Sequence, residues 1–228
     1  MILLYIYPVK IMSLLNHLNT HFYRTEELCH GLKISAEQLY DWQQTGLFPK
    51  PSYSIQNQIK CSSFLGLYEC EEFTDYYPRG CTQWGLDLIK HKISSSAQAY
   101  ELFYQHYTQS LSKCQQQGFE CHDECFSDDL CEQIQTAWQQ YLCSKYGVLS
   151  QNGLIEELVH IELGRVIVDE ITEGRSSPSV SIEQRPRLLQ AIKLLNRAFS
   201  HPAKHEHNHS LRERYIDALI SKYDLSIK

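Results

Sequence analysis

Apolar residues recur every three or four positions along most of the chain, which is the spacing that places them on one face of an α-helix. Near the start, this spacing predicts a helix whose apolar face consists of Leu14, Leu15, Leu18 and Phe22. Two shorter helices are predicted next, one capped by Thr25 and one opened by the capping box Ser35-Ala36-Glu37-Gln38. Pro49 and Pro51 cannot continue a helix, so residues 47–51 are predicted to turn into an extended wing.

The pattern changes twice further along the chain. Between residues 56 and 85 the periodicity is weak and Gly, Pro, Tyr and Cys are dense, which predicts irregular structure with short strands at most. Helical spacing then returns and predicts five amphipathic helices joined by short loops. Their predicted starts are the serine run at 94–96, Ser127, Asn152, and capping boxes at Ser181 and Ser210.

The predicted fold class is therefore mainly α, with an N-terminal winged helix-turn-helix-like module followed by a bundle of about five helices. We divide the chain into an upstream extension (1–12), the module (13–58), an irregular connecting segment (59–93) and the helical bundle domain (94–228). The extension is separated because the amphipathic pattern begins directly after Met12, which is an alternative start to Met1.

Composition and charge narrow the class of protein. The apolar fraction of 43% and the charged fraction of 21% are those of an ordinary globular chain. Nine irregularly spaced cysteines without a secretory signal predict reduced thiols and a cytoplasmic location. The apolar run at 1–7 is too short to span a membrane. A net charge of −6 argues against a protein that coats nucleic acid.

Sequence-specific DNA reading by the module is a separate question, and charge again weighs against it. The second helix of a helix-turn-helix normally presents Arg or Lys to bases and phosphates. Here residues 36–44 contain two acidic side chains and no basic one. Over residues 24–60 the four basic side chains are balanced by four acidic ones. We favour the interpretation that the module serves for packing or binds a peptide or protein.

No cofactor is predicted from a recognised motif, but one loop has the composition of a transition-metal site. Four imidazoles fall within nine residues, at His201, His205, His207 and His209. Alternate residues of an extended segment share one side, an arrangement that suits Zn²⁺, Ni²⁺ or Cu²⁺. The alternative is a solvated loop between two helices.

An enzyme site in a pocket between module and bundle is the third possibility. Polar and aromatic groups that would suit a small molecule are Tyr53, Ser62, Tyr77, Trp84, His205, Glu206 and Arg212. No nucleophile elbow, phosphate loop, dinucleotide fingerprint or H-E-x-x-H motif is present, so no catalytic residue is assigned. Glu156, Glu157, Glu162 and His160 share a predicted helix, where we interpret them as a solvated face.

Several stretches carry a family resemblance. Residues 22–28 and 46–49 resemble the N-terminal winged helix of MerR-type regulators and excisionases. A second resemblance is carried by residues 51–53, 62–64, Tyr77-Pro78, Trp84, 145–148, His205-Glu206, Ser210, Arg212 and 214–216. Through these residues, the chain from about Leu14 onward resembles a bacterial family of natural product biosynthesis proteins of undetermined activity.

The resemblance indicates a family but no reaction, because the family has no known catalytic residue that could be assigned in this chain. Together with the module's net charge of zero, it leads us to expect a non-catalytic accessory protein that binds a protein or peptide partner in a biosynthetic or regulatory system. A MerR-like DNA-binding transcriptional regulator and a natural product biosynthesis enzyme are the alternatives.

Overall fold

The computed structural model describes residues 9–123, 126–203 and 205–225. Within them the chain is mainly helical, as predicted, and it also contains one small sheet. The first elements are α1 (Val9–His21), β1 (Phe22–Arg24), α2 (Thr25–Leu32), α3 (Ala36–Gln44), β2 (Tyr53–Ser63), β3 (Gly66–Pro78) and α4 (Cys81–Lys90). They are followed by α5 (Ser96–Gln116), α6 (Leu130–Leu142), α7 (Lys145–Leu149), α8 (Ile155–Thr172), α9 (Arg185–Ala198), a 3-10 turn (His207–His209), a π-helical turn (Glu213–Asp217) and α10 (Ala218–Tyr223).

The helices of the first fifty residues begin and end close to their predicted positions. The Ser35 hydroxyl accepts a 3.1 Å hydrogen bond from the backbone N–H of Gln38 at the start of α3. Gly46, just beyond α3, has a φ of 70°, which favours glycine. The cap of α2 is Arg24 rather than Thr25, because Glu27 accepts the Arg24 backbone N–H at 2.8 Å.

The proposed extension is only partly described. Its first eight residues lie outside the described residues, and Val9–Met12 belongs to α1. The helix therefore begins ahead of Met12 instead of directly after it.

The prediction of irregular structure with short strands at most in the middle of the chain is wrong. The β2 and β3 strands are 11 and 13 residues long and form an antiparallel hairpin, and α4 follows at Cys81. The signal was the alternation of Tyr53, Ile55 and Ile59 with polar residues, which is the period of a strand with one apolar face. The many Gly, Pro and Cys residues in this segment obscured the alternation.

The bundle is built around α8, which packs against α5 and α9. Gly164 allows the close approach to α9, since a Cβ at this position would lie 2.8 Å from the Leu195 side chain. The capping box predicted at Ser181 is present as a reciprocal pair with Gln184, although regular helix begins only at Arg185. The cap of α8 is Leu154 rather than Asn152.

One apolar core is continuous between the N-terminal elements and the bundle. It extends from Leu28 in α2 to Leu225 at the end of the described chain. A smaller cluster of Leu18, Phe22 and Tyr76 lies at the base of the hairpin. Among the helices of the described residues, none combines the length and apolar character that a membrane crossing requires.

Candidate functional site

The β2–β3 hairpin projects from the rest of the protein. The sheet order is β1-β3-β2, and β1 pairs only with residues 76–78 of β3. Beyond the pair Tyr53–Tyr76, the hairpin therefore continues as two strands as far as the pair Ser63–Gly66. At about 3.3 Å per residue, this two-stranded stretch reaches on the order of 30 Å. Such a ribbon has little stability of its own in water unless something packs against it.

The hairpin tip is apolar and fully accessible. Phe64 and Leu65 form the two-residue loop, and Leu65 and Leu67 are 93% and 85% exposed. Phe64 is completely exposed, and Tyr68 is 62% exposed beside it. Two-residue hairpin loops favour Asn and Gly for conformational reasons, so Phe-Leu contributes nothing evident to the turn. Contiguous exposed apolar side chains of this kind are typical of an interaction surface.

The stem of the hairpin is acidic. Residues 54–75 carry Glu69, Glu71, Glu72 and Asp75 against the one basic residue Lys60. On one face Lys60 pairs with Glu69 at 3.1 Å, and Gln56 and Gln58 each donate to Glu71 at 3.3 Å. The opposite face is mixed, with Ile55, Ile59, Cys61, Tyr68 and Cys70 beside Asn57, Glu72 and Thr74. The hairpin thus combines an apolar tip and a negative stem.

The exposed surface of α3 is also acidic. Glu37, Tyr40, Asp41 and Gln44 are all exposed on this helix. Over residues 22–78, eight acidic side chains outnumber four basic ones. A surface with this balance repels phosphate instead of attracting it.

The base of the hairpin is held firmly against the bundle. Ser52 and Ser144 share a 2.7 Å hydrogen bond between their hydroxyls, and the Lys50 backbone N–H donates to the Leu142 carbonyl at 2.9 Å. Gly147 in α7 lies against this contact, since a Cβ there would be 2.1 Å from the Ser52 Oγ. The projecting ribbon therefore rises from a fixed base.

Tyr53, the first residue of β2, reaches a carboxylate of the bundle's last loop. Its hydroxyl donates to both carboxylate oxygens of Glu206, at 3.0 and 3.2 Å. Burial and the Glu206 charge raise the pKa of Tyr53 well above its ordinary value, so the phenol stays protonated and remains the donor. Glu206 also accepts the Ala203 backbone N–H at 3.3 Å and lies 3.8 Å from the Nε2 atom of His205.

Three histidines meet beside this contact. The rings of His17 and His21, one turn apart on α1, have centroids 4.8 Å apart. With His201 and Tyr53 they line a cavity of about 40 Å³. Burial lowers the pKa of His17 and of His201, and the neighbouring His21 lowers both further.

The four histidines predicted to form a metal site do not lie together. His201 faces the small cavity, His205 and His209 line a second cavity beside Glu206, and His207 lies 3.6 Å from a carboxylate oxygen of Glu213. Across residues 9–123, 126–203 and 205–225, no three His, Cys, Asp or Glu side chains are arranged to hold a metal ion.

The predicted pocket residues divide into two groups. His205, Glu206 and Arg212 line one cavity of about 440 Å³, and Tyr53 is joined to them through Glu206. The remaining residues lie elsewhere. Ser62 is next to the hairpin tip, where it is exposed.

Tyr77 and Trp84 belong to the apolar core between the module and the bundle. The Tyr77 hydroxyl accepts from Gln43 at 3.0 Å, and burial raises the pKa of Tyr77 to about 12. The Trp84 indole N–H donates to the Leu47 carbonyl at 2.8 Å, and its ring packs on Trp138 and Tyr141.

A buried carboxylate in the bundle was missed by the sequence reasoning. The interpretation of α8 as presenting a solvated acidic face is wrong for Glu157 and Glu162, which are both only 8% exposed. Glu162 accepts hydrogen bonds from the hydroxyls of Tyr107 (2.7 Å) and Tyr146. Glu157 accepts backbone N–H groups ahead of α8 and so caps it. Helical spacing alone gives no sign of these partners.

Comparison with known families gives one match. Residues 99–224, more than half of the chain, match a family of unknown function, DUF6058. The matched stretch covers α5 to α10 and leaves out α1–α4 and the hairpin. Neither the curated proteins nor the solved structures contain a match to the chain.

Proposed function

The chain belongs to the DUF6058 family, and because that family carries no assigned activity, we propose a function from the geometry of the chain. It is a non-catalytic accessory protein that binds a protein partner through the β2–β3 hairpin. The observation that carries this proposal is the apolar tip of Phe64, Leu65, Leu67 and Tyr68, displayed at the end of a ribbon on a fixed base. Aromatic side chains presented in this way commonly dominate the binding energy of protein interfaces.

The negative charge of the hairpin stem favours a protein partner over a membrane or a nucleic acid. Four acidic residues on the stem would oppose approach to a membrane rich in anionic lipid, which recruits Lys and Arg instead. The same residues, with Glu37 and Asp41 of α3, oppose nucleic-acid phosphates. We therefore propose a partner with an apolar groove bordered by basic side chains.

We interpret α2, α3 and the sheet as a winged helix whose wing is the hairpin, in line with the resemblance to MerR-type regulators. The proposal gives this module a protein-binding use instead of DNA reading. It places the chain in the cytoplasm, in a biosynthetic or regulatory system. Free thiols at all the cysteines in the described residues suit a reducing compartment.

A tip variant with a matched control tests the proposal. In Phe64→Ser/Leu65→Ser the anchors are removed, whereas Ile182→Ser removes an equally exposed apolar side chain, 86% accessible, in the loop before α9. A partner isolated with the wild-type chain is then purified and titrated against each variant by calorimetry. The tip variant is expected to raise Kd by about 30-fold or more, as loss of an interface hot spot of about 2 kcal/mol does.

The control variant is expected to leave Kd within a factor of about two, since surface changes away from an interface have small effects. Equal Kd values for the tip variant and the wild type would show that the hairpin is not the binding element. Retardation of duplex DNA with a steep salt dependence, or tip-dependent binding to lipid vesicles, would replace the proposal with a regulator or a membrane-bound protein.

A further inference from the structure

A half-open cavity of about 440 Å³ lies next to Glu206 in the C-terminal part of the bundle. Most of its surface is apolar and comes from Val148, Leu149, Phe199, Pro202 and Leu211. This volume lies within the range of about 300–1,000 Å³ of small-molecule pockets, which are typically apolar with a few placed polar groups. Every residue of the wall falls within the stretch that matches the family.

The wall is fixed by hydrogen bonds between segments. The Ser200 backbone N–H donates to the Leu149 carbonyl at 2.9 Å, and the Ser200 hydroxyl donates to the Val148 carbonyl at 2.7 Å. Ser150 and Phe199 form an isolated β-bridge beside them. The cavity is thus a formed feature of the α7–α9 junction.

Arg212 lines the cavity, and its guanidinium is only partly paired. One of its terminal nitrogens, Nη2, donates to the side-chain oxygen of Asn196. The other, Nη1, is buried and has no hydrogen-bond partner among the described residues. A buried guanidinium N–H without an acceptor is unfavourable, and such groups in native proteins call for a missing ligand or water.

The anion that fits is singly charged. The Glu206 carboxylate at the same cavity is already engaged by the Tyr53 hydroxyl and the Ala203 backbone N–H. Arg212 is the one permanent positive charge on the described cavity lining. The Glu206 charge opposes a phosphate dianion about twice as strongly as a monoanion, and a carboxylate matches one guanidinium in charge and geometry.

We propose that this cavity binds a small apolar monocarboxylate, with the acid group on Arg212 and the hydrocarbon part against Leu149, Phe199 and Leu211. The proposal is independent of the hairpin, since none of the wall residues belongs to the hairpin. It names an acid with an aliphatic or aromatic body as the ligand class.

The probe for the test is 4-phenylbutyrate, and its uncharged counterpart is 4-phenylbutanol. Titration into the labelled full-length chain is followed by amide chemical shifts. The acid is expected to give saturable shifts at Leu149, Phe199 and Leu211 and to bind about tenfold or more tightly than the alcohol, because a charge-assisted hydrogen bond is lost in the alcohol.

Two arginine variants make the test specific. Arg212→Gln is expected to weaken binding of the acid about tenfold without changing binding of the alcohol. Arg214→Gln, at an exposed neighbour whose Nη2 donates to the His209 carbonyl, is the matched control and is expected to bind the acid as the wild type does. If Arg212→Gln fails to fold, the difference between acid and alcohol binding to the wild-type chain still tests the proposal. Equal binding of acid and alcohol, or no saturable shifts at the wall, would overturn the proposal.

Discussion

Replacing Glu162 by alanine tests whether the buried carboxylate organises the bundle. Its two oxygens accept from Tyr107 and Tyr146, and the Tyr107 residue is completely buried. Burial, followed by the Glu162 charge, raises the pKa of both phenols far above the ordinary value, so both hydroxyls remain donors. The alanine variant removes the acceptor that both donors use.

The expected loss of stability follows from these contacts. Tyr146 keeps a second acceptor, the Gln140 Oε1 atom at 3.0 Å, whereas Tyr107 is left with the Gln133 side chain, which donates to its hydroxyl, and with no described acceptor. One orphaned buried hydroxyl costs about 1–3 kcal/mol, and the space vacated by the side chain adds on the order of 1 kcal/mol. Removing a buried charge offsets part of this cost. We expect a net loss of about 2 kcal/mol, which lowers Tm by about 4–8 °C in a chain of this length.

Thermal unfolding followed by circular dichroism measures the loss. Glu162→Gln, which keeps the shape and one acceptor oxygen, is expected to lose about 1 kcal/mol. Glu156→Ala removes an exposed carboxylate from the same helix and is the matched control, expected within about 0.5 kcal/mol of the wild type. The reasoning is refuted when Glu162→Ala and Glu156→Ala melt at the same temperature.

Two further predictions concern the contact between module and bundle. Gly147→Ala is expected to destabilise the chain by about 1–3 kcal/mol, because the added methyl group overpacks this contact. Ser52 Oγ is the atom nearest to that methyl group, so Ser52→Ala in the same chain is expected to restore part of the lost stability. Additive losses of stability in urea unfolding would contradict this prediction. The folded state lowers the pKa of His17 and His201, while unfolded histidines titrate near about 6.5. Protons therefore favour the unfolded chain, and stability that is complete above pH about 6.5 declines as the pH falls below it. His17→Gln/His201→Gln is expected to reduce the change in urea midpoint between about pH 7.5 and 5.5, and an unchanged difference would contradict the prediction.

Local signals in the sequence predicted most of the helices, although not α4 or α7. The Ser35 and Ser181 caps depend on side chains three residues apart, which the sequence displays directly. The hairpin was missed because its signal is a weak alternation, and because strand pairing joins residues as far apart as Tyr53 and Tyr76. The Phe64-Leu65 loop lacks the Asn or Gly residues that normally mark such a turn.

The candidate sites depend on longer-range contacts that a single sequence does not reveal. Tyr53 and Glu206 were both named as site residues, but their hydrogen bond spans 153 positions. Trp84, named beside them, lies in the aromatic core with Trp138. Residue type therefore indicated which side chains have useful chemistry, whereas tertiary packing determined which of these side chains are in contact.

Photocrosslinking from the hairpin tip tests the central claim most directly. Benzoylphenylalanine is placed at Phe64 in one sample and at Ile182 in the other, since both side chains are exposed and apolar. Each chain is irradiated with the purified partner, and the products are identified by mass spectrometry. The account predicts an efficient crosslink from position 64 into an apolar groove of the partner bordered by Lys or Arg, and none from position 182. Crosslinks from position 182 alone would contradict it.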